Sequence, residues 1–161
     1  MAREIVLGIV GSRSFHKYKL LEKVVDNFME INDCNVVGIV SGGAGGADTL
    51  AEMYARNRSI PIMVIKPDWK NLDVPGAVVK RIGNYRYNAK AGLDRNQKIV
   101  DESDVIIAFW DGKSKGTLDT INKASKVHKP VFYTMDGDIF VGLSTKGYEI
   151  AQRPSTLKGE E

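Results

Sequence analysis

Val36-Val37-Gly38-Ile39-Val40-Ser41-Gly42-Gly43-Ala44-Gly45-Gly46-Ala47-Asp48 passes from a continuous apolar segment into a turn with four glycines in five positions. Leu50, Ala51, Tyr54 and Ala55 follow at helical spacing. An unbroken β-branched run of this length marks a strand buried on both faces, and the three- and four-residue spacing after it marks an amphipathic helix. Glycines between a strand and a helix expose successive backbone N–H groups beside the positive end of the helix dipole, an arrangement suited to an anion.

Outward from this unit the same alternation repeats. Apolar runs occur at Ile5–Val10, Ile62–Ile65, Val105–Phe109 and Val131–Tyr133. Helical stripes lie between them, as in Leu20, Leu21, Val24, Phe28 and Ile31, and again in Thr117, Ile121, Ala124 and His128. The order predicts an α/β, Rossmann-like, doubly wound and mainly parallel sheet of about five to seven strands, with helices on both faces. Residues 1–135 form the expected domain, and 136–161 an extension packed on it or trailing from it, with a short hairpin around Ile139–Val141. In such sheets ligands bind beyond the carboxyl ends of the strands.

Composition narrows the function classes. The chain has 161 residues, a formal net charge of +3 and a single cysteine, Cys34. One core is expected, and neither an intrachain disulfide nor a cysteine metal cluster can be built. No metal site and no cofactor is predicted. No apolar stretch approaches the roughly 18 residues of a membrane span, and no leader precedes the first strand, so a cytoplasmic location without membrane contact is expected.

Three strand-end turns are candidate ligand contacts. Gly11, Ser12 and Arg13 follow the first strand, where glycine permits close approach and the serine and arginine suit a phosphate or sugar. Ser41, Gly42, Gly43, Ala44, Gly45, Gly46 and Asp48 follow the second. No Lys-Ser or Lys-Thr pair succeeds the last glycine, so this is not a Walker loop, and its spacing is not that of the dinucleotide fingerprint. Trp110, Asp111, Gly112, Ser114, Gly116 and Thr117 follow the fourth, with Ser114 and Thr117 placed to cap a helix. Arg95 and Asn96 open a further helix, directing a guanidinium to the same cleft, and Trp69 either stacks on a base or covers the core. Between Lys80 and Lys98 six basic side chains stand against one acid, with Tyr85 and Tyr87 interleaved. That composition fits a single-strand-binding surface, a lid over a phosphorylated ligand, or a solvated loop.

Taken together, Gly11–Phe15, Ser41–Asp48, Pro67-Asp68-Trp69, Ala91-Gly92 with Arg95-Asn96, and Asp104 through Thr117 resemble the SLOG superfamily of Smf DNA-processing and Lonely Guy proteins. The likeness is greatest to its small YspA-like branch of bacteria and phages. The resemblance implies a nucleotide-derived ligand and a homodimer. Lonely Guy enzymes are phosphoribohydrolases whose motif carries a glutamate three residues after the Gly-Thr. Here Thr120 holds that position, and Asp119, one residue early, points about 100° away on a helix.

The leading expectation is therefore a binding protein or sensor for ADP-ribose, a cyclic relative or a nucleoside phosphate. Gly43–Gly46 and Gly116-Thr117 would hold phosphates, Asp48 ribose hydroxyls and Trp69 a base. One alternative is hydrolysis of an N-glycosidic or phosphate bond, with Asp48, Arg95 and Asp111 as catalytic candidates. The other is single-stranded DNA binding through Lys80–Lys98.

Overall fold

The computed structural model describes residues 2–135 and 139–152. Six strands form one sheet: β1 (Arg3–Gly11), β2 (Cys34–Ser41), β3 (Ile62–Val64), β6 (Val105–Phe109), β7 (Val131–Thr134) and β8 (Phe140–Leu143). A two-stranded hairpin, β4 (Val79–Ile82) and β5 (Tyr85–Asn88), stands apart. The helices are α1 (Tyr18–Asn32), α2 (Ala47–Asn57), α3 (Ala91–Glu102) and α4 (Lys115–Lys126).

The sheet order is β3-β2-β1-β6-β7-β8, parallel except for β8, which runs antiparallel to β7. The chain winds outward from β1 to β3, then returns to lay β6 along the other side of β1. The strand order reverses between β1 and β6, and this opens a crevice at their carboxyl ends. The α/β, Rossmann-like sheet expected from the alternating pattern is present.

Alternation along β1 divides its side chains between two cores. Ile5, Leu7 and Ile9 pack against Phe28 of α1 and Tyr54 of α2, whereas Val10 joins Ile99 of α3 and Ile121 of α4 on the opposite face. Gly8 belongs to the second face, where a Cβ would stand 2.4 Å from Ser103 Oγ, so the end of α3 can close on the strand. Asp104 then locks β6 to β1: its N–H donates to the Val6 carbonyl and its carboxylate accepts from the Val6 N–H, both at 2.8 Å.

The long connection of residues 66–93 holds the one element the periodicity did not reveal. Its hairpin pairs Lys80 with Tyr87 and Ile82 with Tyr85 on one face, and Arg81 with Arg86 on the other. No apolar run announces it, because nearly all of its side chains are exposed. Two boundaries also shift. α3 begins at Ala91, placing Arg95 in its second turn, and α4 ends before His128, whose φ of 61° is left-handed.

Residues 139–152 share this sheet and its cores. β8 pairs with β7, Tyr148 stacks on Phe28 at 5.8 Å, and the Asn32 side chain bonds both the N–H and the carbonyl of Glu149. The remainder of the expected C-terminal extension, 136–138 and 153–161, lies outside the described residues.

Candidate functional site

The crevice begins at Ser12, which has almost no exposed surface. Its N–H donates to the Phe109 carbonyl, and its own carbonyl accepts from Phe15 and Ala47. Its hydroxyl accepts from the Asp111 N–H at 2.9 Å. One residue thus joins the turns after β1 and β6 to the start of α2. Gly11 and Gly46 permit this closure: a Cβ on Gly11 would lie 2.4 Å from the Phe109 carbonyl oxygen. One on Gly46 would lie 2.4 Å from the carbonyl oxygens of Ser12 and Arg13.

The glycine turn is less open than its composition suggests. The Gly43 N–H donates to Ser41 Oγ, the Ala44 N–H to Asp48 Oδ2 at 3.0 Å, and the Ala47 N–H to Ser12. Three donors of this stretch thus already have acceptors in the protein, two from the turn and α2 and one from the turn after β1. Ser41 is fully buried, its hydroxyl donating to the Asp48 carbonyl, and Gly46 is buried behind the first turn. Gly45 is exposed but lines neither of the two large cavities of the crevice.

Those cavities meet at a common waist. The first, about 450 Å³, has a floor of Val10 and Ile99, with Asp48, Thr117 and Thr120 among its walls. The second, about 400 Å³, lies between Gly42-Gly43 and Pro67, Trp69 and Gly92. Arg13, Ala44, Arg95, Asn96 and Gly116 border both.

Electrostatics concentrate at that waist. Arg95 extends from α3 and donates through Nη1 to the Gly42 and Ile65 carbonyls and through Nε to Asn96 Oδ1. Burial lowers its pKa from the ordinary value, Asp48 opposes that shift, and the neighbouring Arg13 charge adds to it. Among the described residues, no hydrogen bond or ion pair holds the exposed Arg13 guanidinium. Asp48 is only 6% exposed, and burial pushes its carboxyl above the usual carboxylate range against the Ala44 hydrogen bond and the Arg95 charge. The N–H groups of the first turn of α4 have no partners within the helix. Ser114 caps that turn by accepting from the Thr117 N–H.

Other expected residues have different work. Asp111 is exposed, and its carboxylate accepts from the N–H groups of Lys113 and Ser114 at 2.8 Å. These hold its pKa below the usual range, a poor setting for a general acid. Trp110 turns away from both large cavities, donating its indole N–H to the Ser114 carbonyl, and Gly112 lies against Met135. Asn96 bridges α3 to α4 through the Gly116 carbonyl and Asp119. Asp119 also pairs with Lys123, so its carboxylate serves helix packing while Thr120 faces the cavity. Ile99 and Thr120 were not among the expected ligand contacts. The spacing of Arg95, Asn96 and Ile99 on one helical face is the signal that points to the first.

Trp69 borders the second cavity, 41% exposed, with Gly92 beneath its ring edge. Tyr87 meets it edge-on at 6.4 Å and stacks on Tyr85 at 6.0 Å, extending an aromatic row onto the hairpin. Among the described residues, no cluster of three or more His, Cys, Asp or Glu side chains is arranged to hold a metal, and no helix is long and apolar enough to cross a membrane.

A model of the YspA, cpYpsA-related SLOG family matches residues 6–72. The match runs from within β1 through β3 to just past Trp69, while Arg95 and Gly116 lie beyond it. No curated protein matches the chain. DNA processing protein A from Streptococcus pneumoniae is similar in structure, at 23% identity and a TM-score of 0.58, over 84% of this chain and 53% of that one. This chain thus spans about half of that protein's length. DNA processing protein A from Helicobacter pylori, described for its single-stranded DNA binding mode, aligns at 23% identity and a TM-score of 0.56. There the alignment covers 83% of this chain and 69% of that one. At such identity the likeness is one of fold.

Proposed function

We propose that the protein, whose residues 6–72 match the SLOG-family model, binds a phosphorylated, nucleotide-derived ligand in the crevice between β1 and β6. ADP-ribose, its cyclic relatives and nucleoside phosphates make up the ligand class. The observation that carries this reading is the waist: two guanidinium groups of like charge border one space, with a single buried carboxylate near them. A phosphate there neutralises both, accepting charge-assisted bonds from Arg13 and from whatever donor capacity Arg95 retains. The first-turn N–H groups of α4 supply further donors. The phosphate contacts thus come from side chains and α4, with the glycine turn acting chiefly as the wall that sets Asp48 and Arg95 in place.

A thermal-shift panel of AMP, ADP-ribose, cyclic ADP-ribose and NAD tests the reading, since a ligand bound only by the folded state raises the melting temperature by mass action. Arg13→Ala leaves the unliganded melting temperature unchanged and abolishes the shift. A flat response from the unaltered protein across the panel refutes the reading.

The hairpin favours a second reading, single-stranded DNA binding. Its exposed Lys80 pairs across from Tyr87 on the face of the stacked tyrosines, Arg81 and Arg86 add charge on the other face, and the structural neighbour from Helicobacter pylori is described for its single-stranded DNA binding mode. Binding of this kind weakens steeply with salt. Absence of oligonucleotide binding at low salt removes it.

A further inference from the structure

The hairpin β4–β5 carries charge that nothing in the chain balances. Residues 74–93 contain four cations, Lys80, Arg81, Arg86 and Lys90, and no acid. Lys90 pairs with Asp94 at 3.7 Å. The other three are exposed, and among the described residues no hydrogen bond or ion pair holds their side chains. Arg81 stands directly opposite Arg86 across the strand pair. The two-residue turn Gly83-Asn84 makes Ile82–Tyr85 a hydrogen-bonded pair, so Arg81–Arg86 is of the non-hydrogen-bonded kind, with side chains at their closest. Like charges so placed destabilise a strand pair, and a two-stranded hairpin has little stability to spare. The ribbon is nevertheless firmly rooted. The buried Asn88 donates its N–H to the Trp69 carbonyl at 2.7 Å, and its side-chain oxygen accepts from the Val78 and Lys90 N–H groups at 3.2 and 3.0 Å. An anchored arm with two unbalanced guanidinium groups side by side is arranged for an anion from outside the chain.

The form of that anion follows from the two faces. Arg81 and Arg86 lie on one, and Lys80 lies on the other with Ile82, Tyr85 and Tyr87. A single strand along the tyrosines meets Lys80 and leaves the arginine pair unanswered. The major groove of B-form DNA has a phosphate wall on each side, about 12 Å apart, and admits a two-stranded β-ribbon. A sheet with its side chains is about 10 Å thick, and four-residue strands reach about 13 Å, enough for a groove about 8.5 Å deep. Beside the tip, Ile82 is 69% exposed, the most of any large apolar side chain described. An apolar side chain there meets base edges such as the thymine methyl group. We infer that β4–β5 enters the major groove of double-stranded DNA tip first, with Arg81 and Arg86 on one phosphate wall and Lys80 on the other. This surface is separate from the crevice, and it differs from the single-strand reading in using both faces of the hairpin.

Binding of a short labelled DNA duplex, followed by fluorescence anisotropy across a salt series, tests the inference, with single-stranded DNA and duplex RNA of the same length alongside. Duplex DNA binds at least about tenfold more tightly than the single strand, and than the RNA duplex, whose deep, narrow major groove excludes side chains. Arg81→Ala and Arg86→Ala each lower the slope of log K against log salt by about 1. Ile82→Ser weakens duplex binding with the slope unchanged, and Lys126→Ala, at the end of α4, alters neither. Both arginine side chains are exposed and unpaired, so the variants keep the fold, as circular dichroism will verify. Equal or tighter binding of the single strand, or unchanged slopes in both arginine variants, overturns groove insertion; the first of these leaves the single-strand reading standing. RNA bound as tightly as DNA, or no duplex binding at low salt, overturns it as well. None of these outcomes bears on the nucleotide reading of the crevice, which the thermal-shift panel tests separately.

Discussion

Replacing Gly46 with alanine gives the sharpest check on how the crevice is built. The backbone there has φ 66° and ψ −121°, a region open essentially to glycine alone. Forcing another residue into it costs about 1–3 kcal/mol. The added Cβ would stand 2.4 Å from two carbonyl oxygens, those of Ser12 and Arg13. Both are backbone atoms, so no side chain can swing aside. Moving the Ser12 carbonyl loosens its bonds from Phe15 at 3.1 Å and from Ala47 at 3.2 Å. Those are worth about 0.5–1.5 kcal/mol each. The total is about 4 kcal/mol, or about 8–16 °C in melting temperature for a domain of this size. Gly45 provides the control, since nothing lies within 4 Å of its would-be Cβ and its φ is not positive. Gly45→Ala should stay within about 0.5 kcal/mol of the parent, as surface substitutions do. Urea unfolding followed by circular dichroism measures both variants. Equal midpoints for the two would show that the turns after β1 and β2 do not interlock as described.

Two other contacts carry measurable outcomes. Asp48 has a raised carboxyl pKa in the folded state, so the stability contributed by its protonated form is present below the unfolded value, about 3.9, and is lost as pH rises through the folded value. Asp48→Asn should therefore unfold at a higher urea concentration than the parent at neutral pH, with the gap closing toward pH 3; a gap independent of pH would contradict this. Tyr54 has no exposed surface and donates to Asp26 Oδ1 at 2.6 Å, while Arg58 also pairs with Asp26. Tyr54→Phe should cost about 1.5 kcal/mol, the lower end for a bond to a charged group, and a cost near zero by denaturant titration would show that Arg58 alone satisfies the carboxylate.

How much of the molecule is legible in its sequence differs from feature to feature. The runs at Ile5–Val10 and Val105–Phe109 declare buried parallel strands because both faces of each are covered, and that suffices to place the three turns at one end of the sheet. The hairpin escaped because its strands are exposed on nearly every side and show no apolar run. The punctuation was there: Gly83-Asn84 between Ile82 and Tyr85 is a two-residue hairpin turn. In the glycine turn, composition reveals how many N–H groups are available but not which acceptors fold back onto them. Ser41, Asp48 and Ser12 supply those acceptors, two from neighbouring sequence and one from another strand's turn. Composition likewise does not reveal that the Trp110 indole N–H closes its own turn on the Ser114 carbonyl.

Ser12 also has a consequence for how the molecule comes apart. The sheet is wound in two halves, β1 to β3 with α1 and α2, and β6 to β8 with α3 and α4, and a domain assembled this way has an obvious seam along which to split. Ser12 lies on that seam and is tied at once to Ala47 of one half and to Phe109 and Asp111 of the other. Asp104 ties β6 to Val6 farther along the same line. Parting the halves ruptures these buried bonds together with the whole β1–β6 ladder, so the domain has no cheap partial opening there and exchanges its central amides as one cooperative unit.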